Sequence, residues 1–228
     1  MQAIKKFFKQ YYVTIIYTSI CSVTFILYFI NPNLPIISIL GDSIDTLTSR
    51  EYYRLFTSSW VHYSPVLLSD LIFLFLVSCL IEKYWGHLTL AILFPFFGTF
   101  GGLLGDIATR ILVAKSLSNL DFNQFDSQEL VGKYTGSSVV IFGLLAVLLL
   151  TVLFKPTIRK KYLARHPLQI LLVALISLYL IAYLLTPFLR PNLMNISDID
   201  HTIGFFLGIF TFIVYELILH VTKQLSHS

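Results

Sequence analysis

Two short stretches place reactive side chains inside apolar runs: Gly136-Ser137-Ser138-Val139-Val140-Ile141-Phe142-Gly143 and His201-Thr202-Ile203-Gly204-Phe205-Phe206-Leu207-Gly208. A serine in a hydrophobic helix is ordinary, since its hydroxyl bonds back to its own backbone. A histidine there is rare, because a polar ring in hydrocarbon must be paired, face a bundle interior or line a wet cavity. One serine helix and one histidine helix together suggest a nucleophile and its base. Taken singly, each has a plainer reading. Ser138 would be a helix-packing serine, His201 an amphipathic ring at an interface, and Asp70 a solvated residue at a helix start.

The elements that must carry these groups are membrane spans. The chain is 56% hydrophobic and 12% charged, with a mean hydropathy of +0.79, whereas soluble domains hold roughly 25% charged residues. Its apolar runs approach or exceed the ~18 residues that span hydrocarbon. One polytopic membrane domain covering residues 1–228 is therefore expected. Six spans are read at about 12–30, 66–82, 88–110, 136–154, 168–189 and 201–221. The first follows Lys5-Lys6-Phe7-Phe8-Lys9 and is too long for a signal-peptide core, so it is expected to remain as a helix. Pro95 and the glycines at 98, 101, 102 and 105 predict a kinked, closely packed third span. Cys21 and Cys79 both fall within spans and read as small apolar fillers.

Basic residues set the orientation. Lys5, Lys6 and Lys9 precede span 1, Lys155, Arg159, Lys160, Lys161 and Arg165 fill the loop after span 4, and Lys223 follows span 6. The positive-inside rule makes that side cytoplasmic, giving N-in and C-in. The net charge of +4 follows from this topology and does not point to nucleic acid. In the outer segment 31–65, Thr48 or Ser49 is expected to cap a short interfacial helix running through Arg50-Glu51-Tyr52-Tyr53-Arg54-Leu55-Phe56. The outer segment near 111–134 is polar toward its end and expected to be mobile.

Alternating spans then fix a depth. Spans 2, 4 and 6 all enter from the outer side, so Asp70, Ser138 and His201 lie within roughly 10 Å of the outer boundary at ~1.5 Å per residue. His201, Gly204 and Gly208 fall on one helical face, and small residues there let another helix approach. If that helix is span 4, Ser138 and His201 come within hydrogen-bond reach and Phe142 packs against the imidazole. His62, His87, His166, His220 and His227 read as interfacial residues in loops or at span ends, without a third ligand for a metal.

These motifs together resemble the rhomboid family of intramembrane serine proteases, over roughly residues 51–215. Its serine motif matches Gly136-x-Ser138 through Phe142-Gly143, and its His-x-x-Gly-x-x-x-Gly matches His201, Gly204 and Gly208. Its arginine before span 2 matches Arg54, and its Glu-x-x-x-Gly matches Glu82 and Gly86. The resemblance implies an all-α, six-span bundle in which a Ser138–His201 dyad cuts transmembrane protein substrates near the outer face of the plasma membrane, without cofactor or metal. Gly136 and Asp70 would line the oxyanion cavity.

Two departures stand out. Rhomboids usually have glycine after the nucleophile, where this chain has Val139. They usually carry a histidine and an asparagine in span 2, at positions that fall here on Val66 and Asp70. An ionised Asp70 would repel the developing oxyanion, and a protonated one could donate to it. The other reading is a rhomboid-like pseudoprotease that binds transmembrane helices without cutting them. A small transporter would need paired charges or broken helices near the midplane, and none is evident in the sequence.

Overall fold

The computed structural model describes residues 2–43, 45–62, 67–118, 136–156, 175, 178, 182 and 196–225. The basic N-terminal segment is an amphipathic helix, α1 (Gln2–Gln10), and the first apolar run is α2 (Tyr12–Ile30). Three short helices follow: α3 (Ile36–Leu40), α4 (Thr46–Ser49) and α5 (Tyr53–Thr57), the last running into a 3₁₀ turn at Ser58–Trp60. The long helices are α6 (Leu67–Trp85), α7 (His87–Ser118), α8 (Ser138–Phe154) and α9 (Ile196–Leu225). Helices α2, α7 and α9 contain stretches long and apolar enough to cross a membrane, and α8 is a shorter apolar helix.

The expected span 1 coincides with α2 and span 4 with α8 apart from its first two residues, whereas α7 and α9 run beyond the expected bounds of spans 3 and 6. Pro95 lies inside the continuous α7. The fifth expected span, 168–189, lies outside the described residues apart from Leu175, Leu178 and Ala182. So does most of the second outer segment.

The outer segment differs from expectation in one detail. Thr48 and Ser49 do not cap a helix over 50–56; they belong to α4, which ends where Arg50 adopts a left-handed conformation at φ 62°. Backbone bonding explains the break. The Glu51 N–H returns to the Thr46 carbonyl (3.1 Å) and closes α4, so the chain must restart at Tyr53. Arg54 is buried and stitches this segment together, donating to Glu51 (2.7 Å) and to the Gly41 carbonyl (2.9 Å).

Helix α8 is buried from Val139 through Leu148, as a helix hydrophobic on all sides should be. It packs among α6, α7 and α9, with Leu74, Ile81, Leu90, Phe94, Phe97, Leu144, Leu145 and Leu148 fully enclosed. By contrast, Ile16, Ile20, Val23 and Ile26 on α2, and Phe206, Phe210, Ile213 and Leu217 on α9, stay exposed. An apolar helix surface of this kind matches hydrocarbon rather than water.

Polar contacts set the helix directions. At one end Glu82 of α6 accepts from the Val13 N–H (3.0 Å), the Thr14 N–H (2.9 Å) and the Thr14 hydroxyl (2.6 Å). A carboxylate there satisfies first-turn donors of α2 and complements its dipole. His87 Nδ1 lies 2.6 Å from the same carboxylate, across the turn made by Gly86 at φ 89°. Trp85 Nε1 donates to the Thr151 hydroxyl (2.9 Å), and Lys155 pairs with Glu216 (2.6 Å), so the C-terminal ends of α6 and α8 meet α9 near Glu216. At the opposite end Thr24 of α2 bonds the 3₁₀ turn. Helices α6, α8 and α9 therefore run parallel, with α2 and α7 antiparallel to them.

Candidate active site

The site is assembled where α8 and α9 touch backbone to backbone. A Cβ at Gly204 would strike the Val139 carbonyl, and one at Gly208 would strike the Gly143 carbonyl and come within 2.6 Å of the Ala146 Cβ. Glycine at both positions lets the helices approach closely. Ser138 is the first residue of α8, adjacent to the Val139 contact, and half-buried. His201 sits one turn before Gly204 on α9 and is buried. Its imidazole stacks on the Phe142 ring, with centroids 4.4 Å apart and planes 19° apart. The packing of Phe142 on the imidazole is the expected one, and the Ser138 and His201 positions lie on facing helices.

Val139 is accommodated by α7. Its side chain sits directly against Gly101, where any Cβ would collide with it. The bulk that follows Ser138 is thus matched by an absence of bulk opposite. Ser59 packs in the same way on Gly98, and the Phe97 ring on Gly143 (2.7 Å to a built Cβ).

Gly136 adopts φ 123°, a conformation that glycine tolerates and L side chains rarely adopt. Its N–H donates to the Ser58 carbonyl (3.0 Å), which ties the turn before α8 to the outer segment. The next residue, Ser137, is fully buried, and its Oγ lies 3.1 Å from Nε2 of His62. Here a sequence-based expectation is corrected. His62 is not an interfacial ring; it is wholly buried, held by its backbone N–H on the Thr24 hydroxyl and by its ring on Ser137. No periodicity marks a loop residue as buried, so the sequence held no signal for it.

Asp70 occupies the first turn of α6 and is half-buried. Among the described residues it makes no hydrogen bond to the Ser138 turn; His62 is the side chain that reaches it. Val66 lies outside the described residues. On the far side of His201, the Asp200 carboxylate packs onto Gly105, while the Asp42 carboxylate lies 3.2 Å from a Cβ built at Gly102. Burial pushes the Asp42 carboxyl above the usual range, opposed by Thr46, the Ser43 N–H and Arg54.

His62 gives a pH prediction. Burial pushes its imidazole from the usual 6.5 down to about 4, against a smaller opposing effect of the Trp60 carbonyl. Between those values the unfolded chain binds a proton that the folded chain does not. Stability should therefore be full above about 6.5, fall as the pH drops toward 4, and level off below. Thermal melting of the wild type and His62→Gln from neutral pH downward checks this. A variant with the same acid loss as the wild type would clear His62 of the effect.

A family model described as "Rhomboid domain" matches residues 49–217, more than half of the chain. The chain belongs to the rhomboid family. A search of curated proteins finds no match. The rhomboid domain is a helical membrane fold, and its members are generally serine intramembrane proteases acting on transmembrane substrates. The matched region takes in the outer segment from Ser49, the Ser137–Ser138 turn and the His201–Gly208 face, and leaves α1 and α2 outside it.

Proposed function

We propose that this rhomboid is an active serine protease of the plasma membrane, a single domain of six spans with both termini in the cytoplasm. It cuts membrane-anchored proteins near the outer face with a Ser138–His201 dyad. His201 takes the Ser138 proton as the hydroxyl attacks the scissile carbonyl, then gives a proton to the leaving amine. Water attacks the acyl-serine ester with His201 again as base, which restores the hydroxyl. First-turn N–H groups of α8 stand where the oxyanion would form, and the positive end of that helix favours the developing charge. The residues of this dyad need no metal or cofactor. The observation that carries the reading is the seat of Gly204 on the Val139 carbonyl, which sets His201 beside the start of α8.

The pseudoprotease reading draws on Asp70 and Val66, where the family usually has asparagine and histidine, and on valine at position 139. Labelling with a fluorophosphonate probe separates the two. Ser138-dependent labelling is expected, and its absence in folded protein would favour the pseudoprotease.

Asp70 gives a second test. An acidic residue in the first turn of α6 complements that helix's dipole, so its place has a structural reason independent of chemistry. If it also faces the oxyanion, Asp70→Asn supplies a permanent neutral donor and should raise cleavage at neutral pH. The change would be smaller than the ~10²–10³-fold effect of removing an oxyanion-hole donor. Equal pH–rate profiles for the two proteins on one substrate would leave Asp70 as a helix-start residue alone.

A further inference from the structure

We infer that His62 is a positioning residue of the Ser138 site, holding the Ser137 hydroxyl so that the first-turn N–H groups of α8 stay open to the oxyanion. The inference rests on the protease reading above and concerns residues outside the dyad.

Serine at a helix N-cap ordinarily turns its hydroxyl onto the N–H groups one turn in. Ser137 occupies the N-cap of α8 and does not do so: its hydroxyl makes no capping bond. It lies instead 3.1 Å from His62 Nε2, with both residues fully buried. The first bond of the helix ladder runs from the Ile141 N–H to the Ser137 carbonyl (2.8 Å). The N–H groups of Ser138, Val139 and Val140 therefore precede the ladder and have no carbonyl within the helix to meet. A capping serine hydroxyl would compete for one of them. Drawn to His62, it competes for none.

The histidine is itself anchored. Its N–H donates to the Thr24 hydroxyl of α2 (3.3 Å), and that hydroxyl donates to the Trp60 carbonyl (2.8 Å). Two residues earlier the Ser58 carbonyl holds the Gly136 N–H. The segment Ser58–His62 thus grips the turn at two consecutive residues, one by backbone and one by side chain. Burial keeps the imidazole neutral at working pH, so one ring nitrogen carries a hydrogen and the other is an acceptor.

The test is steady-state cleavage of a model transmembrane substrate by the full-length protein, with the rate of fluorophosphonate labelling as a second readout. His62→Ala frees the Ser137 hydroxyl to cap the first-turn N–H groups and should lower kcat about tenfold, the scale of one lost hydrogen bond, with KM nearly unchanged. Ser137→Ala removes the competing hydroxyl and should keep kcat near that of the wild type, and the double variant should regain most of the His62→Ala loss, as expected for two residues coupled through one hydroxyl. His62→Gln, whose amide can donate or accept, should recover most of the loss. If His62→Ala fails to fold, His62→Phe, which keeps the ring volume without the hydrogen bond, takes its place, with and without Ser137→Ala.

A folded His62→Ala or His62→Phe variant with wild-type kcat and labelling, or one whose loss Ser137→Ala does not relieve, in a protein whose Ser138→Ala variant is dead, overturns the inference and leaves the protease reading standing. So does a loss confined to KM. A folded wild type that neither cleaves nor labels overturns both.

Discussion

Ser138→Ala is expected to abolish cleavage of a transmembrane substrate and fluorophosphonate labelling while the protein keeps its fold. The change removes one hydroxyl from a half-buried first-turn position and leaves the Cβ, so α8 loses little packing and no cap. The chemistry loses its nucleophile outright. In serine hydrolases such a change costs about 10⁶-fold in kcat, with the remainder supplied by binding and oxyanion contacts. His201→Ala should fall as far in kcat, but it also leaves Phe142 without its stacked partner and is therefore the less clean variant. The measurement is purified protein in detergent or vesicles against one substrate, with melting temperature alongside. Equal cleavage by the wild type and the Ser138→Ala variant would remove this serine from the mechanism.

Gly204→Val should damage both stability and activity. Even the Cβ of the new side chain would meet the Val139 carbonyl, which is backbone and cannot rotate away. The two helices must separate, at a cost of about 1–3 kcal/mol or more for overpacking. Separation also moves His201 from the start of α8, so kcat should fall more steeply than the melting temperature implies. A 1 Å misplacement can cost about 10²-fold. Leu217→Val on the exposed face of the same helix is the control, expected to be nearly silent. If Gly204→Val melts and cleaves like the wild type, the close crossing of α8 and α9 is not what sets the site.

Local composition and spacing were enough for several features. Apolar runs alone mark α2 to the residue and α8 within two residues at its start, because length and hydropathy are local quantities that hydrocarbon reads directly. The His201, Gly204 and Gly208 face is equally legible, since helical periodicity states which side chains share a side. Which helix meets that face is left open by the sequence, and the structure supplies α8. Glu82 was visible only as part of a motif. What it does, closing the N-terminus of α2 from a helix far along the chain, has no local sign.

The tertiary structure decided the rest. Gly101 and Val139 are separated by a segment of many residues, and only folding brings the missing side chain opposite the added one. His62 belongs to a loop with no repeat to betray its burial, yet it becomes the partner of Ser137. A serine before a helix signals a cap by sequence, and whether it caps depends on what else competes for its hydroxyl. That competition is settled by a histidine 75 residues away. Periodicity and hydropathy specify which residues can face one another, because they depend on neighbours along the chain. Which polar group finds which partner depends on neighbours in space, and is decided when the buried groups must all be satisfied at once.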